Sequence, residues 1–267
     1  MIAEALNNLR AAIPQGVALV AVSKFHPAER LQEAYDAGQR IFAESRPQEL
    51  AAKVPQLPAD IEWHFIGHLQ TNKLKLVLPY VSLVQSVDSF HLLEAINNWG
   101  AQNGKVINVL LELHLGAEET KQGFTEEEIV SLIGKEEDCA SENCCRPRHM
   151  SGRGPLAAGN GGKLAFTQAL TAMGGTRTEG PRFSEAQSSS LPNVNIIGIM
   201  GMATNTDDMD VVERDFARIE RLFKRIQAVN PAIRELSIGM SADWQIAVKH
   251  SATMVRIGTD IFGPREM

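Results

Sequence analysis

VALVAVSK, at residues 17–24, is an unbroken apolar run that ends on a serine and a lysine. A half-buried strand alternates apolar with polar residues, whereas a run apolar at every position suits a strand covered on both faces. The polar end marks where the chain leaves the sheet. The next stretch, 27–38, carries Leu31, Ala34 and Tyr35 at helical spacing, with Pro27 suited to a first turn and Gly38 to a stop. A buried strand leading into a helix is the repeating unit of a parallel α/β fold.

The unit recurs. Further strands are predicted at 40–43, 61–66, 82–87, 106–113, 194–200, 234–238 and 254–257, which with 17–22 makes eight. Helical patterns lie between them. Ser89 is placed to cap 90–100, Thr125 with Glu128 forms a capping box ahead of 129–133, and 208–229 carries an apolar stripe of Val212, Phe216, Ile219, Phe223 and Ile226. The fold class is therefore α/β, expected as a single (β/α)8 TIM-type barrel spanning 1–267, with a doubly wound open sheet as the alternative.

One segment breaks the pattern. From about 134 to 190 the sequence holds 9 of the 21 glycines, all 3 cysteines and little periodicity. A structureless stretch of that length does not belong inside a compact domain, so it reads as a disordered insertion between the fifth helix and the sixth strand. Cys139, Cys144, Cys145 and His149 fall within it. Their spacing matches no common zinc site, and an odd cysteine count is no disulfide framework, so no metal is expected.

Composition narrows the class further. A formal charge of −6 lacks the basic face that nucleic-acid binding needs. No apolar run reaches bilayer length, and the N-terminus has no signal-peptide core, so a cytoplasmic protein is the expectation.

In barrels the reactive groups come from the C-terminal ends of strands, and phosphate is commonly held after strands seven and eight. Lys24 stands at the first such end, where partial desolvation favours the neutral amine that attacks a carbonyl. By position alone, a lysine reaching from the strand end into solvent is the favoured reading. The ends LSIGMSADW and MVRIGTDIFG each put glycine beside serine or threonine, which suits an anion nest, and Asp243 is placed to start a short helix over 244–250. Jointly, these three ends point to a phosphorylated carbonyl ligand. The end of the third strand, IEWHFIGHLQTNK, is polar as well. His64 reads either as a satisfied interior residue or as a proton-transfer group. Asn72 reads as a helix cap, and Trp63 and Phe65 as packing against the helical layer.

The blocks VALVAVSKFHP, AYDAGQRIFAES, IEWHFIGHLQTNK, Gly123–Phe124, IIGIMGMA and LSIGMSADWQIAVKHSATMVRIGTDIFGPRE resemble the pyridoxal phosphate homeostasis proteins, stand-alone relatives of the alanine racemase N-terminal barrel. They cover nearly all of the chain outside 134–190. The resemblance implies a pyridoxal 5′-phosphate (PLP) cofactor held as a Schiff base on Lys24. It implies a phosphate held around Ser237, Ser241, Gly258 and Thr259, with Met240 and Arg256 also lining the site. In racemase-type relatives an arginine faces the pyridine nitrogen, a role that Arg256 or another residue would fill here. Two departures stand out. Ala43-Glu44-Ser45 replaces the Gly-Glu-Asn usual in the family, so the cofactor ring loses an asparagine contact, and the insertion replaces a short helix-to-strand turn.

The resemblance implies a cofactor carrier in vitamin B6 homeostasis without robust catalysis, with PLP-dependent apoenzymes as recipients. An amino-acid racemase and a Schiff-base aldolase are the alternatives. A racemase of this type uses a tyrosine as second base, and the only tyrosines, Tyr35 and Tyr80, sit in patterns away from strand ends. A monomer is expected, because the second domain through which racemases dimerise has no counterpart in the sequence.

Overall fold

A computed structural model describes residues 1–115, 123–134 and 191–264. Eight parallel strands run β1 (Ala18–Val22), β2 (Ile41–Glu44), β3 (Glu62–Phe65), β4 (Val81–Val87), β5 (Ile107–Glu112), β6 (Val194–Met200), β7 (Glu235–Ser237) and β8 (Met254–Ile257). They pair in sequence order into a closed barrel. Closure is direct: β1 pairs with β8 from Ala18↔Met254 to Ala21↔Ile257. That pairing rules out the open doubly wound sheet.

The strands are apolar on both sides because each side meets a different core. Val20, Val22, Ala43, Leu83, Leu110 and Met254 fill the barrel interior. Phe42, Trp63, Phe65, Val84, Val109, Leu111, Leu236 and Val255 point outward into the larger core shared with the helices. Trp63 and Phe65 thus pack against the helical layer as expected, with the Trp63 and Phe42 rings 5.9 Å apart.

The helices follow local signals. α1 (Ile2–Ala12) buries Ile2, Leu6 and Leu9, and α2 (Ala28–Asp36) follows Pro27 and ends ahead of Gly38, whose φ is 88°. α3 (Pro47–Lys53) starts on proline, and α4 (Leu74–Val77) is a single turn. Asn72 does not cap that turn. It lies inside a preceding 3-10 turn, Thr71–Lys73, which supplies the entry into the helix without a side-chain cap. α5 (Phe90–Asn103) is capped by Ser89, which accepts from the Leu92 amide. α6 (Glu126–Gly134) opens on the capping box: the Thr125 amide donates to Glu128, and the Glu128 amide donates to the Thr125 hydroxyl. α7 (Met209–Val229) starts at Asp208 and buries the expected stripe together with Leu222. α8 (Trp244–Ala247) is shorter than the expected helix, since 248–250 tighten into a 3-10 turn. α9 (Thr259–Phe262) closes the described chain. The expected insertion begins where α6 ends, and 135–190, with Cys139, Cys144, Cys145 and His149, lies outside the described residues.

Candidate functional site

All C-terminal strand ends of a parallel barrel open on one face, and closure makes β7, β8 and β1 neighbours there. Lys24 follows Val22 in a turn in which the His26 amide donates to the Ser23 carbonyl at 3.2 Å. It is half-buried. Gly258 ends β8 against the same point: a Cβ on it would stand 3.1 Å from the Val22 carbonyl oxygen. Gly239 has φ 91°, and a Cβ there would meet that of Ala247 at 2.6 Å. Glycine therefore lets the chain after β7 fold flat onto α8. Within this loop the Met240 amide donates to the Asp243 carboxylate, and the Asp243 and Trp244 amides donate to the Met240 carbonyl. These groups close the turn on themselves. Ser241, half-buried, and Thr259, exposed, carry hydroxyls at the two adjacent ends, and Met240 is 40 % exposed.

Beneath the mouth a buried polar relay crosses the interior. Arg256 donates through Nη1 to the Ser237 carbonyl at 2.8 Å and hydroxyl at 2.6 Å, and through Nη2 to the Gly201 carbonyl at 2.9 Å. The Ser237 hydroxyl in turn reaches Gln85 Oε1 at 2.7 Å, and Gln85 Nε2 meets His64 Nδ1 at 2.8 Å. An arginine only donates, which sends the Ser237 proton to Gln85 and makes His64 Nδ1 the acceptor at the far end. Burial pushes the Arg256 guanidinium down to about 10, with Glu112 and Asp243 opposing it, so it stays charged at neutral pH. His64 is an interior residue, and burial pushes it down to about 4. It is neutral at physiological pH.

A second network lies behind Lys24. Ser23 is fully buried and donates to Glu44 at 2.7 Å. Lys53, buried at the end of α3, donates to Glu44 at 2.6 Å, to the Ser23 carbonyl at 3.0 Å and to Glu49 at 3.4 Å. Burial pushes the Glu44 carboxyl up, while Lys53 and Ser23 draw it back.

The mouth also holds carboxylates. Glu112 ends β5 and is pushed up to about 7 by burial and by Asp88, with Arg256 and His68 pulling it down. Asp88 pairs with His68 at 2.8 Å. Glu112, Gln85, Glu49, Lys53 and Asp88 were not singled out by sequence reasoning. A carboxylate ending INVLLE and a glutamine inside VSLVQSV were usable signals, because each is a large polar residue near the C-terminal end of a mainly apolar strand. Neither tyrosine is at the mouth. Tyr35 lies in α2, bonded to Asp60, and Tyr80 precedes β4 on the opposite face.

The model of the alanine racemase N-terminal domain family matches residues 1–145 and 174–266. The pyridoxal phosphate homeostasis protein of Aquifex aeolicus is 31% identical over 93% of this chain and 87% of its own. That of Vibrio alginolyticus is 30% identical over 95% and 88%. The chain belongs to the pyridoxal phosphate homeostasis protein family. Among solved structures, PipY of Synechococcus elongatus PCC7942 with PLP bound is 30% identical, covers 98% of this chain and 100% of its own, and superposes with a TM-score of 0.73. Residues 146–173, which the family model leaves unmatched, fall inside the expected insertion. Among the described residues no helix is long and apolar enough to cross a membrane.

Proposed function

We propose that this member of the pyridoxal phosphate homeostasis family binds PLP at the C-terminal mouth of the barrel and holds it as a Schiff base on Lys24. In this reading it serves cytoplasmic vitamin B6 homeostasis as a monomeric single-domain carrier rather than as a robust catalyst, and PLP-dependent apoenzymes are its recipients. One observation carries the reading. Three neighbouring strand ends bring together an amine (Lys24), a flat glycine-lined approach (Gly258) and two hydroxyls (Ser241 and Thr259). The residues suit the group: Gly258 leaves room where a Cβ would press on the β1 carbonyl, and Ser241 and Thr259 carry hydroxyls at the adjacent ends.

Bound there, PLP would supply an aldehyde and a pyridine ring whose power to draw electrons depends on the charge at its nitrogen. The chain's own residues do the rest. Ser241, Gly258 and Thr259 would hold the phosphate, and Met240 would cover the loop edge. Ser237 is fully buried and serves through Arg256, whose guanidinium it seats. A fixed cation facing the ring nitrogen would keep that nitrogen unprotonated and the cofactor a weak electron sink, which suits storage over turnover.

The test is the visible spectrum of the purified chain before and after borohydride, followed by peptide mapping. A pyridoxyl group on Lys24 that is lost in Lys24→Ala supports the reading. A colourless protein that takes up no adduct from added PLP sinks it.

Glu112 favours a second reading, weak proton exchange on amino acids, because a carboxyl titrating near neutrality at the mouth can take and return a proton. Deuterium incorporation at the α-carbon of alanine in heavy water, lost in Glu112→Gln, is the outcome that reading requires.

A further inference from the structure

Both residues that flank Lys24 are held by carboxylates from outside their own loop. On one side, Ser23 donates its hydroxyl to Glu44, and its amide donates to the Ala43 carbonyl at 3.0 Å. On the other, the Phe25 amide donates to Glu49 Oε2 at 3.0 Å. Phe25 has φ 70°, a left-handed conformation that costs a non-glycine residue free energy and persists only where the surroundings enforce it. Here the enforcement is visible. Arg46 lies 4.3 Å above the Phe25 ring and pairs with Glu49 at 3.3 Å. Lys53 then ties Glu49, Glu44 and the Ser23 carbonyl to a single ammonium group.

We propose that Glu49, locked by Lys53, is a positioning residue that holds the strained turn from which Lys24 reacts. The inference rests on the reading of Lys24 as the residue that takes the cofactor aldehyde. α3 holds the turn on both sides of Lys24, through Glu49 at Phe25 and Lys53 at Ser23. Glu49 holds the one amide that a left-handed Phe25 presents, and without that acceptor the turn can relax to an ordinary conformation that moves Lys24. The residue types fit the role. Glu49 is half-buried, so its carboxylate stays charged, and Phe25, Lys53 and Arg46 hold it below the usual range against its partial burial.

The experiment measures two rates on the full chain freed of cofactor, with residue-resolved mass spectrometry. One is adduct formation at Lys24 from PLP and borohydride, and the other is methylation of Lys24 by formaldehyde and cyanoborohydride. Glu49→Ala is expected to slow PLP capture about tenfold with the melting temperature little changed. Glu49→Gln, whose amide oxygen still accepts from Phe25, should keep most of the rate. Phe25→Gly placed in the Glu49→Ala chain should restore it, because glycine holds positive φ without help. A purely structural role would not be rescued by glycine at 25.

If Glu49→Ala captures PLP at the parent rate, or if Phe25→Gly fails to restore capture, the inference is overturned while the Lys24 reading stands. If the parent places no pyridoxyl group on Lys24, the Lys24 reading has failed. The formaldehyde rate then decides the positioning claim by itself: unchanged methylation of Lys24 in Glu49→Ala rejects it, and a slowed rate restored by Phe25→Gly upholds it.

Discussion

At the scale of single residues, the interior relay makes the clearest demands. Gln85 is fully buried and satisfies Ser237 at one end and His64 at the other. Gln85→Leu would strand both partners, at about 1–3 kcal/mol for each buried unsatisfied group, so a marked loss in melting temperature is expected. The same relay gives a signed pH dependence. His64 takes a proton at 6.5 ordinarily but at about 4 when folded, so only the unfolded chain gains that proton between those values. Its contribution is fully present above pH 6.5 and falls away as pH drops towards 4, by about 3 kcal/mol. Glu112 acts in the opposite sense. Its folded value of about 7 lies above the ordinary 4.5, so its contribution is present below 4.5 and lost as pH rises through 7. The two slopes oppose each other between pH 4.5 and 6.5. Denaturant unfolding across that window should show stability rising with pH in Glu112→Gln and falling with pH in His64→Gln. Parallel slopes in the two variants would refute the assignment. None of this was legible in the sequence, where His64 stood open between two readings. Its partner Gln85 lies on another strand, and Ser237 and Arg256 join them only once the barrel closes.

Secondary elements were read more fully, because periodicity and caps are local. All eight strands fall where the apolar runs stand, and Ser89, Thr125 with Glu128, and Asp208 begin their helices as expected. Thr125→Ala should cost about 1 kcal/mol, visible as a small fall in melting temperature. α3 escaped notice, and with it Lys53, because a lysine closing an amphipathic helix reads as solvated until its buried partners are known. Close strand contacts escaped for the same reason. A Cβ on Gly198 would sit 1.8 Å from the Glu235 carbonyl oxygen on β7. Gly198→Ala must therefore push β6 from β7 and should cost about 1–3 kcal/mol, at the upper end because the neighbour is backbone. A melting temperature equal to the parent's would show that the two strands yield more easily than their spacing implies.

For the molecule as a whole, the family model matches the chain on both sides of 146–173 and leaves that stretch out. α6 ends at Gly134 and β6 begins at Val194, and in a barrel of this type helix C-terminal ends and strand N-terminal ends lie on the face opposite Lys24 and Thr259. A chain lacking 146–173, the stretch outside the family match, should melt as the parent does and take up PLP at Lys24 to the same extent. Loss of uptake would tie that segment to the site.

The pairing of β1 with β8 has a further consequence, one of timing. Lys24 leaves the ribosome long before Gly258 and Thr259 do. Until β8 is released the barrel stands open along one seam, and on the proposed reading the amine lacks the residues that would hold the phosphate. On the proposed Lys24 reading, a nascent polypeptide stalled before β8 is expected to stay colourless. Cofactor uptake at Lys24 would then report that β8 has joined β1.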